Sequence, residues 1–441
     1  MIENTKKLKA RHIQMIALGG SIGTGLFFGL GKSIQFTGAS VIFAYLLGGI
    51  IMYIIMRALG ELVVYEPNVG AFSYYAGKYV SKYLGFVAGW FAWFEYTIVC
   101  MQDLTASSIF MDHWVRVPHW ITISIFLALF VLVNMVNVKI FGEFEFYFAG
   151  IKIAAILMML GLFIFLFLFN VVMHNSIIHN LYALNNNIFT HGATGFLSAL
   201  TLVLFAFGGT QFIGIAAAEC DDPARQVPKA IRGVVFRILF FYILSIVILF
   251  GFYPIYKIAN HNNVFVTVLQ AIGLTNCGEI MNFVIIITVL SAVNSCFYAA
   301  SRMLYSLAKQ GHAPKIFAVN NAEGVPKTAV LFNCAVVACT VLLNYLLPQS
   351  IIYYLLSFTI VSIIVTWSTI LICHFYFRKK HLVQDYKLPF FPYTSLFAML
   401  GLITILIAML QISYMKIAVY MLPISLIVIT VLYWFYKEKY E

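Results

Sequence analysis

The chain has 441 residues, of which 62% are hydrophobic and only 10% charged, and its mean hydropathy is +0.94. Soluble domains carry roughly 25% charged residues, so this composition excludes a soluble globular protein and predicts an all-α polytopic membrane protein. The net charge of +11 does not indicate a nucleic-acid partner, because the basic residues sit in short blocks between apolar runs, where they orient a membrane protein.

Twelve segments are long enough to cross about 30 Å of hydrocarbon at roughly 20 residues each. They lie near 12–34, 39–60, 84–110, 120–138, 146–170, 195–218, 234–254, 280–306, 328–347, 351–376, 394–412 and 417–436. With the N-terminus inside, one set of loops collects Lys6, Lys7, Lys9, Arg11, Arg225, Lys229, Arg232 and the run Arg378-Lys379-Lys380, while the other holds only Lys32, Arg116, Lys257 and Lys416. That bias predicts cytoplasmic N- and C-termini, which an even number of spans allows. The first apolar run is too long, and lacks the small-residue site, to be a cleaved signal peptide. The seven cysteines form no CxxC and mostly lie in apolar runs, so they read as small buried hydrophobes rather than a disulfide or metal framework.

The first span contains IALGGSIGTGLFFGLGKS (16–33). Its Gly31-Lys32-Ser33 ending imitates a phosphate loop, but the glycine required five positions earlier is Leu26, and no strand precedes it. Gly costs about 1 kcal/mol in a helix relative to Ala. Close helix packing through small residues is one explanation of the run. The other is a helix interrupted near the bilayer midplane, exposing backbone amides and the hydroxyls of Ser21 and Thr24.

The third span carries Glu95 roughly 16 Å along the helix from residue 84, with Gln102 on the same face. Ionisable groups at such depth cost about 2.5–3.5 kcal/mol and mark function by default. Glu95 is either a structural carboxyl between helices or an anchor for a cation or proton. Asp103 lies about 12 Å further on and is expected to be a solvated carboxylate near the outer interface. In the fifth span, Lys152 snorkels to the surface if the helix starts near residue 149. If the helix starts near Glu143 the side chain is buried, and burial lets an amine release and regain a proton.

The outer loop 171–193 contains no Lys or Arg. The sixth span then repeats the glycine pattern, with Gly208-Gly209-Thr210-Gln211 in mid-span. Corresponding Gly-interrupted segments in two halves of a chain point to the binding site of an inverted-repeat transporter. If each repeat has five helices, the halves cover 12–170 and 195–376, and 394–436 adds two further helices. Half-helix N-termini attract anions and C-termini attract cations. An α-amino acid satisfies both ends, and so does a polyamine or another small zwitterion. The inner segment 219–232 has two prolines that stop or start a helix. In the eighth span Ser291, Asn294 and Ser295 either line the cavity or bond between helices, and the outer-loop histidines, His191 among them, lack metal-site spacing.

The stretches RHIQMIALGGSIGTGLF (11–27), LGELVVYEP (59–67), FGEFEFYFAGIKIAAI (141–156), FAFGGTQFIGIAAAECDDPARQVPKAI (205–231) and SAVNSCFYAASRMLYSLAKQGHAPK (291–315) carry a likeness that covers nearly the whole chain. The chain resembles bacterial amino acid permeases of the amino acid–polyamine–organocation superfamily. The resemblance implies twelve helices in a five-plus-five inverted repeat with helices 1 and 6 broken, an inner-membrane location, and proton-driven uptake of an amino acid without any bound cofactor. It implies a substrate site at Ser21, Gly23, Thr24 and Gly25, with Phe205, Phe207, Gly208 and Thr210 opposite. By position match alone, Phe207 is the aromatic lid and Lys152 the proton-coupling group. Many relatives have glutamate where this chain has Gln211, which removes a charge that Glu95 partly replaces. Exchange of amino acids is the competing activity, and a non-transporting sensor is disfavoured because no signalling domain is expected. An enzyme is not expected either. Glu95 favours a basic substrate, whereas Gln211 and the many phenylalanines favour a neutral or aromatic one, and oligomeric state is not legible.

Overall fold

The computed structural model describes residues 23–68, 70–134, 138–173, 188–217, 222–252, 263–321, 324–348, 350–380 and 386–440. Among the described residues it is helical throughout, with no strand. In chain order the helices are α1 (Thr24–Phe27), α2 (Gly29–Thr37), α3 (Val41–Tyr65), α4 (Ala71–Tyr79), α5 (Lys82–Met111), α6 (His119–Asn134), α7 (Val138–Met173), α8 (Gly192–Ala206), α9 (Phe212–Ala217), α10 (Pro223–Phe252), α11 (Val264–Ala271), α12 (Thr275–Lys309), α13 (Lys327–Leu346), α14 (Ile351–Lys380), α15 (Tyr393–Met409) and α16 (Lys416–Tyr440). Six described stretches are long and apolar enough to cross a membrane, the longest running from Thr24 to Tyr65 through its kinks, and five shorter apolar helices accompany them.

Local chemistry sets several of these ends. Ser81 caps α5, its hydroxyl accepting from the Leu84 amide at 3.1 Å, which satisfies one otherwise orphaned donor. Gly38, with φ +67°, ends α2 in a conformation that a side chain would disfavour. Pro223 opens α10 and Pro228 falls just inside it, so the polar segment before the seventh span starts a helix well ahead of residue 234.

The centre of the molecule is α5, which packs against α12 and α14, while α3 packs against α10, and α2 against α8. Phe86, Ala88, Ala92, Tyr96, Cys100 and Leu104 of α5 are almost fully enclosed. By contrast α16 buries little, so its apolar side chains face outward, as lipid-facing residues do.

One buried ionic cluster ties the end of α3 to α14. Glu61, 1% exposed, accepts from His374 Nε2 at 3.0 Å, from Arg378 Nη2 at 2.9 Å and from the Leu388 amide at 3.0 Å. Beside it, the Arg57 guanidinium lies 3.7 Å from the centre of the Tyr386 ring and donates to the Lys387 carbonyl. Residues 386–388 are thereby fastened across the ends of two helices. Removing one partner of a buried pair leaves an uncompensated charge and costs about 3–5 kcal/mol. Glu61→Ala is therefore expected to lower the thermal midpoint of detergent-solubilised protein by several degrees. An unchanged midpoint would show that the cluster does not hold this end of the molecule together.

Candidate functional site

A helix start and a helix interruption meet in the interior. The start is at Gly23, the N-cap of α1, which has no side-chain cap; Ser21 lies outside the described residues. The second separates α8 from α9, where residues 207–211 form successive turns. Gly209 has φ +84°, a region that glycine enters at no steric cost. The Thr210 hydroxyl donates back to the Phe207 carbonyl at 3.0 Å, and the Ala206 carbonyl, freed by the break, accepts from Tyr242 Oη at 3.1 Å.

The first glycine run has two functions. A Cβ on Gly25 would stand 2.4 Å from the Ala206 Cα, so this glycine permits α1 and α8 to touch backbone to backbone. A Cβ on Gly23 would meet Ala292 Cβ at 3.2 Å and Asp103 Oδ2 at 3.8 Å. Gly29 has open space around it. Packing thus accounts for Gly25, and at Gly23 the tight neighbour is the Ala292 methyl group.

A cavity of about 30 Å³ lies between the breaks, walled by Gly23, Thr24, Gly25, Phe205, Ala206, Gly208 and Gly209, with Glu95, Tyr96 and Asp103 of α5 alongside. Phe205 is on this wall. Phe207 is turned the other way, fully buried with its ring 5.8 Å from those of Tyr45 and Tyr242.

Two hydrogen-bonded chains cross the site. In the first, the Thr24 hydroxyl donates to Asp103 Oδ1 at 2.7 Å and accepts from Gln102 Nε2 at 3.3 Å. Gln102 Oε1 in turn faces the Thr359 hydroxyl at 3.4 Å. Asp103 is 1% exposed, which corrects the expectation of a solvated interfacial carboxylate: α5 is enclosed along most of its length, and Asp103 faces the break rather than the outer surface. Lys152 is fully buried and within electrostatic reach of Asp103. It lies about 21 Å along α7 from Val138, because the helix begins before Glu143 and leaves no short path for snorkelling.

In the second chain, Gln211 Nε2 donates to Glu95 Oε1 and Gln211 Oε1 accepts from the Trp367 indole. The two partners fix the amide's orientation, since a carboxylate only accepts and an indole N–H only donates. A glutamate at 211 would place two carboxylates in contact, and like charges that close oppose joint ionisation. The departure at Gln211 and the acid at Glu95 are therefore two halves of one arrangement. Glu95 Oε2 and the Thr366 hydroxyl are both buried without a hydrogen bond of good geometry, although the two groups interact.

Of the expected residues, Gly23, Thr24, Gly25, Glu95, Phe205 and Gly208 line the cavity, and Gln211 reaches it through Glu95. Thr210 supports the turn, and Phe207 packs behind it. Trp367, Thr359 and Tyr242 were not singled out in the sequence. For Trp367 a signal existed: an indole in the middle of an apolar span, away from the interfaces where tryptophan usually sits, needs a buried acceptor.

These features define a helical membrane protein with a small enclosed cavity beside an interrupted helix. A family model for amino acid permeases matches residues 12–441, and the chain belongs to the amino acid permease family. It is 38% identical over 437 residues to the aromatic amino acid transport protein AroP of Escherichia coli strain K12, covering 98% of this chain and 95% of the relative. The AroP protein of Salmonella typhimurium strain LT2 matches equally, and the uncharacterized transporter YdgF of Bacillus subtilis strain 168 is 36% identical over 443 residues, covering 98% and 96%. The matched family and these relatives are transport proteins, not enzymes.

The glycine geometry is testable by amino acid uptake. Gly25→Val is expected to lower uptake about five- to a hundredfold, because overpacking of a tight contact costs about 1–3 kcal/mol. Gly29→Ala, with room for its methyl group, stays within about twofold of the parent. Equal losses in both would mean that the Gly25–Ala206 approach is not what matters.

Proposed function

We propose that this protein imports an aromatic amino acid across a bacterial inner membrane by proton symport with alternating access. The observation that carries this reading is the central cavity. It sets polar groups of the first break, Gly23 and Thr24 with Asp103, opposite Phe205 and Gly208 of the second. The apolar wall between them is made by Tyr96 and Phe212, whose rings are 5.0 Å apart. An amino acid's carboxylate suits the backbone amides at Gly23–Gly25. Its ammonium suits the carbonyls around Phe205 and Ala206, each of which has a second lone pair, and Glu95 adds a carboxylate oxygen. The side chain is then left against aromatic rings, which favours an aromatic over a basic substrate. The names of the AroP relatives agree with that choice.

Coupling is proposed to run from Lys152 through Asp103 to Thr24. A proton on Lys152 strengthens the attraction between Lys152 and Asp103, and Asp103 accepts from the Thr24 hydroxyl at the first break. Loading from outside, closure of the breaks over substrate, and rocking would then release both to the cytoplasm. In this reading the helices make twelve crossings, with residues 12–170 and 195–376 as inverted five-helix repeats, helices 11 and 12 outside them, and both termini cytoplasmic.

The test is uptake into proteoliposomes of labelled phenylalanine, tyrosine, tryptophan, lysine and proline, with and without an inward proton gradient. Aromatic amino acids are expected to accumulate only with the gradient, and Lys152→Gln to cut that accumulation at least about tenfold while leaving exchange against trapped substrate intact. Uptake solely against trapped amino acid would make the protein an exchanger. Binding without any uptake would make it a sensor.

A further inference from the structure

A second cavity, of about 680 Å³, lies apart from the central one. Its lining includes Lys32, His191, Ser198, Tyr353, Gln411 and Tyr414. The geometry points to a second amino acid site here, a capture site from which an aromatic substrate passes inward. This rests on the transport reading above.

Position is the first argument. Three helical segments run through both cavities. Lys32 and Thr24 are eight residues apart on α2 and α1, Ser198 and Phe205 seven apart on α8, and Tyr353 and Thr359 six apart on α14. At 1.5 Å per residue these offsets are about 9–12 Å, all in the direction of the loops with few basic residues. Phe28 lies between Thr24 and Lys32 in the chain, is 4% exposed and has its ring 6.1 Å from that of Tyr353. A solute coming from that side would meet Lys32 before Thr24.

Chemistry is the second argument. The volume falls within the about 300–1,000 Å³ of small-molecule sites. No lining residue is acidic, and one is a fixed cation. The Lys32 ammonium contacts only neutral groups among the described residues, Gln35 Oε1 at 3.3 Å and the face of Tyr353 at 5.8 Å. A carboxylate from outside would be a charged partner that the described residues do not supply. The Tyr353 and Tyr414 rings stand 5.3 Å apart and form an aromatic corner next to it. His191 donates from Nδ1 to the Phe36 carbonyl at 3.0 Å, which fixes the ring and leaves Nε2 as its other polar position. An ammonium would find the oxygens of Gln35 and Gln411 and the faces of the two tyrosines. A carboxylate, an aromatic ring and an ammonium are together the aromatic amino acid itself.

The experiment uses the full chain in proteoliposomes and measures equilibrium binding of labelled L-phenylalanine alongside the concentration dependence of its uptake. Two molecules are expected to bind per chain. Lys32→Gln is expected to reduce this to one and to raise the half-saturating concentration for uptake about tenfold, with the maximal rate within about twofold, since a hydrogen bond to a charged group is lost. Lys32→Arg keeps the charge and should restore both values, which separates binding from misfolding. 3-Phenylpropionate, which has the ring and carboxylate but no ammonium, is expected to compete for the Lys32-dependent molecule only weakly. Equal competition would assign the site to aromatic carboxylates in general and overturn the amino acid assignment. One bound phenylalanine in the parent, with half-saturation unchanged in Lys32→Gln, would make the cavity a water-filled funnel. Loss of all transport in the parent, with Lys32-dependent binding retained, would sink the transport reading and leave the site standing.

Discussion

The backbone contact between Gly25 and Ala206 sets the distance on which the rest of the interior depends. Helices ordinarily pack 8–10 Å apart, axis to axis, and side chains fill the gap. Here one helix surrenders its side chain, so the start of α1 and the interruption after α8 come into backbone contact. Irregular backbone at membrane depth survives only where other protein groups satisfy it. Tyr242, through the Ala206 carbonyl, and Thr210, through that of Phe207, do so around the second break. Neither tyrosine nor threonine needs a charge for that task, so the supports do not compete electrostatically with a zwitterion.

The charged groups are arranged around α5. Glu95 and Asp103 are eight residues apart, close to two helical turns, and therefore face the same side at different depths. One is engaged by Gln211 of the second break and the other by Thr24 of the first. The helix that the core is built on thus holds one acid against each broken segment. Through Gln211 and Gln102, α14 joins both contacts, with Trp367 at one level and Thr359 at the other. A shift of α14 relative to α5 would disturb both breaks together.

The glycines at 208–209, the burial of Glu95 and the described apolar helices were legible because each violates or obeys a rule that a bilayer enforces residue by residue. Glycines in an apolar span are costly, a carboxyl at its midpoint more so, and length is counted directly. The enclosure of Asp103 was not legible, since distance along a helix does not report what packs around it. The direction of Phe207 was hidden for a related reason: the turn after Ala206 rotates consecutive side chains by amounts no periodicity predicts, and places Phe205 on the cavity instead. The second cavity depends on Lys32, His191, Tyr353 and Tyr414, four residues scattered over more than 380 positions that no local pattern joins.

The smallness of the central cavity has an energetic meaning. About 30 Å³ admits little more than one water molecule, and a drug-like or amino acid site is roughly ten times larger. Substrate therefore cannot enter this conformation and must wait for a more open one. The apparent dissociation constant of such a protein is its intrinsic value divided by the fraction of molecules that are open. Contacts made only in the closed form would therefore weaken measured affinity without touching the substrate. A substitution that loosened them would read as tighter binding and faster leak at once.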